Sequence, residues 1–419
     1  MLALRDFRLL LADRLLAPAS FGFSMVGVAF AVLDTTHSTA DLSYVLAAQI
    51  APSLVFSLIG GVFADRMPPQ WVIIAGNLMI ALGEGLFGLL VLTGHPLLWQ
   101  MIALECVTGT GMALFYPASQ ALLPRLVPGH LLTEASALSR LAMNGGQMGG
   151  SAIAGLVVAA TGPGWALAIC GLGMLGTVPV LLSLRTDPAV GQASAEPPAR
   201  PGMLRELHDG WAEFRSRTWL WVTVAEYATV MMAWYGAFQV LGPAVARAHL
   251  GGPAAWGAIT ASESVGLIVG GLVALRFQPR RPMLFVALIG GLIAIPTLSL
   301  AALWPLPLIC LCAFGVGIAL EMMMVVWTVA MATNIPPGKL ARVSSYDMLG
   351  TIMAMPAGAL AAGPVAAVIG VSTTQYVAAA LILVASMLAL IPREIRNIRR
   401  QQAPLPDQPF QRSSADLPM

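Results

Sequence analysis

The chain has 419 residues, 58% of them hydrophobic and only 10% charged, and its mean hydropathy is +0.80. A soluble domain carries about 25% charged residues, so an ordinary soluble enzyme is excluded, and a disordered chain is excluded by the same composition. The net charge of +2 points to neither nucleic acid nor an acidic partner. Lipid is the solvent that remains, and there about 20 apolar residues make one crossing.

Lys339 is the single lysine, and Leu340 follows it. A phosphate-binding P-loop needs Lys followed by Ser or Thr, so no ATP motor of that type is present. Uphill work would draw on an ion gradient or a separate subunit. Cys106, Cys170, Cys310 and Cys312 lie in apolar runs without disulfide or zinc spacing. Neither a metal nor an organic cofactor is expected. The first apolar run follows Arg5 and Arg8 and is too long for a signal-peptide core, so it is expected to be retained as a span.

Twelve apolar runs follow in order, at about 10–33, 42–64, 71–93, 97–119, 138–160, 164–184, 218–242, 254–276, 281–302, 305–329, 343–369 and 372–392. They do not alternate polar with apolar, which argues against a β-barrel. The run at 343–369 is rich in Gly and Pro and is expected to tilt or break. The expected fold is an all-α integral membrane protein of 12 helices in two six-helix, pseudo-symmetric bundles.

Loop charge sets the expected orientation. With the N-terminus inside, the inner segments hold Arg66, Arg125, Arg185, Arg205, Arg276, Arg280, Lys339 and Arg342 among others, while the outer loops hold only Arg247. Both termini are therefore expected in the cytoplasm. Residues 1–184 would form the first bundle. The stretch 185–217 would be a cytoplasmic linker that is Pro-rich at first and ends in an amphipathic helix. Residues 218–393 would form the second bundle, and 394–419 a disordered tail.

Two short repeats support that division. GGVFADRMPPQ starts at Gly60 and GGLVALRFQPRR at Gly270; VPGHL starts at Val127 and PPGKL at Pro336. Both pairs sit at loop boundaries and have nearly the same offset, as a duplicated six-helix unit requires.

Gly60, Gly61, Ala64, Asp65 and Arg66 resemble the signature of the major facilitator superfamily between its second and third spans, although Met67, Pro68, Pro69 and Gln70 stand where basic residues usually follow. The opening DFRLLLADRLL at Asp6, the run GTGMALFYPASQA at Gly109 and LPRLVPGHLLTEASAL at Leu123 resemble the drug-efflux branch that includes macrolide and enterobactin exporters. The resemblance covers about 1–393. It implies that spans 1, 4, 7 and 10 line a central cavity near the midplane. It also implies a cytoplasmic gate at Gly61, Asp65 and Arg66, with Arg342 as a neighbour across the bundles. Two departures stand out. Glu105 holds the place of a frequent arginine in span four, and Gly150, Ser151 and Gly155 occupy an antiporter motif that lacks its proline.

A carboxylate at membrane depth costs about 2.5–3.5 kcal/mol on insertion scales, so each one invites a role. Glu105 heads a stripe with Thr108, Met112 and Tyr116. Glu321 heads one with Met324 and Thr328. Glu226 lies beside Tyr227, Trp234 and Phe238, and Glu263 falls in span eight. These are the candidates for proton coupling and for the substrate cavity. Glu84 ranks lower because span three is peripheral in the resembled family. Asp34 reads as a solvated helix end, and Asp13 and Arg14 as a pair joined to each other or to water.

The function expected is secondary active transport, namely proton-coupled efflux of amphipathic small molecules from the cell membrane by a monomer. The partners would be that substrate, protons and the bilayer, with no nucleic acid. An importer or lipid-like-substrate transporter of the same fold is the alternative, and a non-transporting sensor is more remote. Catalysis is disfavoured. GGSA at Gly149 superficially resembles an intramembrane protease motif, but His37, His95, His130, His208 and His249 all fall outside the spans, which leaves Ser151 without a base.

Overall fold

In lipid every backbone N–H and C=O must find a partner within the chain, so long apolar runs become helices. The computed structural model describes residues 5–66, 68–94, 96–128, 131–184, 211, 214–277, 279–335 and 337–398. Within those stretches the side chains of 53–66, Arg125, Thr133 and most of 337–352 lie outside the description. The first half holds α1 (Arg5–Thr36), α2 (Thr39–Arg66), α3 (Pro69–Thr93), α4 (Leu98–Leu126), α5 (Leu132–Thr161) and α6 (Pro163–Leu182). The second half begins with α7 (Thr218–Trp234), which runs on through Tyr235–Val240, Gly242–Val245 and Ala246–Leu250. Next come α8 (Pro253–Arg276), α9 (Pro282–Leu292, then Ala294–Ala301), α10 (Leu306–Asn334), α11 (Pro337–Ile369), α12 (Val371–Ala389) and a short α13 (Arg393–Asn397). Eight of these segments are individually long and apolar enough to cross a membrane.

The helices reach past the apolar runs because a helix does not stop where hydropathy falls. α1 takes in Arg5 and Asp6 at one end and Thr35 and Thr36 at the other. Glycine sets several reversals; Gly162, at φ +91, turns the chain between α5 and α6.

The breaks do not fall where composition suggests. α11 is one continuous helix of 33 residues despite Pro356 and Pro364, so of the expected tilt or break the break is corrected. At 1.5 Å per residue it is about 50 Å long, well over the thickness of a bilayer core of about 30 Å. It packs on α7 and α2, which flank it. α9 is the helix that breaks, at Ile293. Pro296 has no N–H to give and its ring crowds the carbonyl four residues back, at Leu292. In α7, Pro243 likewise removes a donor, and Leu241 N–H reaches back five residues to Gly236 in a π-type turn.

Without a hydrophobic force between helices, close backbone approach holds such bundles together. The approaches repeat in the two halves. In the first, α5 meets α1 where Gly150 lies on Ala19, and α4 meets α2 where Gly109 lies on Gln49. In the second, α11 meets α7 where Gly358 lies on Met232, and α10 meets α8 where Gly317 lies on Glu263.

The halves join along two seams, α5 with α8 and α2 with α11. Call the end where α1 starts the near face and the other end the far face. Gly155 of α5 lies against Gly257 of α8, and Gly363 N–H donates to Ser43 Oγ at 2.7 Å. Arg247, at the end of α7, pairs with Asp34 of α1 at 2.8 Å. All three ties lie in the far half, so the far face is closed. Asp34 is thus half exposed, as a helix end should be, but it is paired across the halves and not merely solvated.

Two further expectations are revised. Asp13 and Arg14 are buried and, among the described residues, make no direct ion pair with each other, although each lies in the other's field. Arg14 instead donates to the Ser119 carbonyl at 2.5 Å and to Met143 sulfur, and neither Asp13 oxygen has a partner among the described residues. The start of the tail is ordered: Ile395 is buried and Trp219 N–H donates to Glu394 Oε2 at 3.3 Å. Most of the linker 185–217 and residues 399–419 lie outside the described residues.

Candidate functional site: buried acids and a cavity in the second half

In the first half, two carboxylates meet away from solvent. Glu105 of α4 and Glu84 of α3 are both 0% exposed. Helix periodicity turns both inward, and close packing of Gly83 on Leu104 and Thr108 draws α3 and α4 together at this level. The two charges are near enough to interact. Gln49 Nε2 of α2 donates to Glu105 Oε2 at 2.8 Å, and Ser24 Oγ of α1 donates to Glu84 Oε1 at 2.5 Å. Glu84 Oε2, Glu105 Oε1 and the Thr108 hydroxyl are buried without a hydrogen-bond partner among the described residues. No described Arg, Lys or His forms an ion pair with either acid. The Tyr235 phenol of α7 lies within electrostatic range of Glu105.

Glu84 ranks lower because span three is peripheral in the resembled family, yet its side chain is fully buried. Its inward direction was legible only from side-chain phase. Gly76, Ile80, Gly83, Glu84, Phe87 and Gly88 share the buried face, whereas Leu78, Leu82, Leu86 and Leu89 are exposed.

Glu321 of α10 has a different setting. Arg140 of α5 pairs with it across the halves at 2.5 Å, with the Arg140 side chain 60% exposed and that of Glu321 13%. It is therefore not an acid without a cation. A pair this open contributes about 0.2–1 kcal/mol. Arg140→Gln should accordingly cost only a few-fold in transport rate, Arg140→Glu, which sets two carboxylates together, should cost more, and Arg140→Glu with Glu321→Arg should recover it. A proteoliposome assay on the single and double variants checks this.

Glu263 of α8 is buried, and its backbone carbonyl lies against Gly317. Tyr116 is 48% exposed and meets Phe115 edge-on. Trp234 and Phe238 stack at 5.8 Å, and Phe238 packs on Trp256. All three rings are buried. Gly61, Asp65 and Arg66 belong to α2 and Arg342 to α11, but their side chains lie outside the described residues.

The second half contains a cavity of about 260 Å³ between α7, α9, α10 and α11. Glu226 and Tyr227 enter it from α7, Met324 and Trp327 from α10, and Asp347 from α11. Gly290 of α9 leaves room: a Cβ there would press on Glu226 Oε1. Trp327 Nε1 donates to Asp347 Oδ2 at 2.9 Å. Asp347 is a residue that sequence reasoning missed, because it falls one turn inside a run whose start lies among loop residues.

Two helical halves, seams of close backbone contact and acids held inside the bundle define a multi-pass membrane transporter. The chain belongs to the Major Facilitator Superfamily, whose sequence profile matches residues 15–318. It is 26% identical over 410 residues to the enterobactin exporter EntS of Citrobacter koseri, covering 96% of this chain and 95% of that one. It is 24% identical over 382 residues to macrolide efflux protein A of Streptococcus pyogenes, covering 89% and 92%. Among solved structures, a bacterial homologue of the human lysosomal transporter Spinster, inward-facing and unoccupied, matches with TM-score 0.71 at 16% identity over 95% of this chain and 99% of that one. The nucleoside transporter NupG matches with TM-score 0.70 at 12% identity over 94% and 99%. These structural likenesses carry the fold alone.

Proposed function

We propose that this chain exports amphipathic small molecules from a bacterial cell across its cytoplasmic membrane, driven by proton entry, with both termini inside. The observation that carries this reading is the Glu84–Glu105 pair, two carboxyls buried together without a described cation. Such a pair needs a proton or a cation to sit comfortably in a low-dielectric interior. Its hydrogen bonds to α1 and α2, and its reach to Tyr235 of α7, tie its charge to helices that must move when access alternates. The export direction draws on the likeness to an enterobactin exporter and a macrolide efflux protein. The near face is assigned to the cytoplasm because the loop arginines gather there. On that assignment the closed far face is the outer one.

The test is purified protein in sealed liposomes with an imposed pH gradient and a panel of lipophilic cationic and neutral compounds. At least one compound should collapse the gradient in a protein-dependent way. If none does, and the same compounds exchange freely without a gradient, the protein is a facilitator and the coupling is wrong.

A further inference from the structure

The cavity in the second half is lined by two acids, two aromatic rings and two methionines, and among the described residues that line it there is no Arg, Lys or His. Asp347 is partly open to it and is held in place by the Trp327 indole. That bond uses one carboxylate oxygen and leaves the other for a ligand. Trp327 is itself braced edge-on by Trp219 at 5.8 Å. Glu226 stands behind, 6% exposed, and neither of its oxygens has a hydrogen-bond partner among the described residues. The Ser386 hydroxyl lies beside Glu226 but short of bonding geometry. The remaining described wall is Thr223, Val224, Val230, Val286 and Gly290. Aromatic faces with carboxylates behind them attract a poorly hydrated cation and give a neutral molecule of the same shape no comparable gain. Flexible thioethers at Met323 and Met324 adapt to its outline.

We infer that this cavity is a binding subsite for a compact aromatic or alkyl organic cation, with Tyr227 and Trp327 against its face, Asp347 as the first counter-charge and Glu226 as the deeper one. The inference rests on the transport reading above and gives it a substrate class. The cavity lies in the near half of the bundle, on the side away from the far-face closure.

The experiment uses the full chain in detergent and two probes of one shape, the N-methyl-4-phenylpyridinium cation and neutral 4-methylbiphenyl. Equilibrium binding should favour the cation. Asp347→Asn should weaken cation binding about tenfold and leave the neutral probe unchanged, and Trp327→Phe, which removes the indole donor, should weaken it less. Glu226→Gln is the second variant, in case Asp347→Asn perturbs folding, and should act in the same direction. Equal affinity for the two probes in the wild type overturns the inference, as does unchanged cation affinity in both acid variants. A chain that moves protons with neutral compounds but fails this test keeps the exporter reading and loses the subsite. A chain that binds the cation through Asp347 but moves no protons keeps the subsite and loses the coupling.

Discussion

Replacing Glu105 with Gln is expected to remove substrate-driven proton movement almost entirely, by more than about tenfold, while substrate exchange without a gradient survives. Shape matters here as much as charge. Gln has the outline of Glu, and Gln49 Nε2, which now donates to Glu105 Oε2 at 2.8 Å, can donate equally to an amide oxygen. The substitution thus takes away the protonatable group and keeps the packing between α2 and α4. Glu84→Gln should show the same loss if the two carboxyls act as one unit, because each stands in the other's field. Ser24→Ala is the milder change. It deletes the hydroxyl that donates to Glu84 and should alter the rate a few-fold without abolishing coupling. Proton flux and counterflow of labelled substrate, measured on the same proteoliposomes, separate these outcomes. Full proton coupling in both Gln variants would remove this pair from the mechanism.

Much of the architecture was legible in the sequence, and the reason is lipid. A bilayer imposes one length and one solution to backbone hydrogen bonding, so the apolar runs already marked the helices. What could not be read was which residues meet. Arg140 and Glu321 are 181 positions apart, and no local pattern joins them. The same holds for Ser24 with Glu84 and Gln49 with Glu105, whose pairing depends on how α1 through α4 rotate about their axes. Proline content misled for a related reason. Pro296 interrupts α9, whereas Pro356 and Pro364 leave α11 continuous. A missing donor breaks a helix or is absorbed according to what the neighbouring helices offer, and neighbours are a property of the fold.

Gly363→Val should drive the protein out of the conformation described here. At this crossing the α11 backbone lies directly on α2, with Gly363 N–H bonded to Ser43 Oγ at 2.7 Å. Any Cβ at 363 would run into Ser43 Oγ, the Thr39 carbonyl and Ala40 Cα. Two of those three are backbone atoms, so no side-chain rotation relieves the clash. Overpacking of this kind costs about 1–3 kcal/mol. Here the cost falls only on the state in which α2 and α11 touch at the far face, and the helices on either side are unaffected once the seam opens. A penalty of that size confined to one of two states shifts their ratio about 5- to 150-fold. Transport should fall in proportion, because the cycle must pass through the closed far face. Spin labels at positions 34 and 247, which replace the Asp34–Arg247 pair that bridges the halves, would report the change in a chain cleared of its four cysteines. Their separation should lengthen in Gly363→Val. It should stay as it is in Gly315→Val, because Gly315 on α10 faces open space. An unchanged distance distribution in Gly363→Val would mean that the α2–α11 crossing is not what holds the far face shut, and the α5–α8 crossing at Gly155 and Gly257 would be the next place to insert the same wedge.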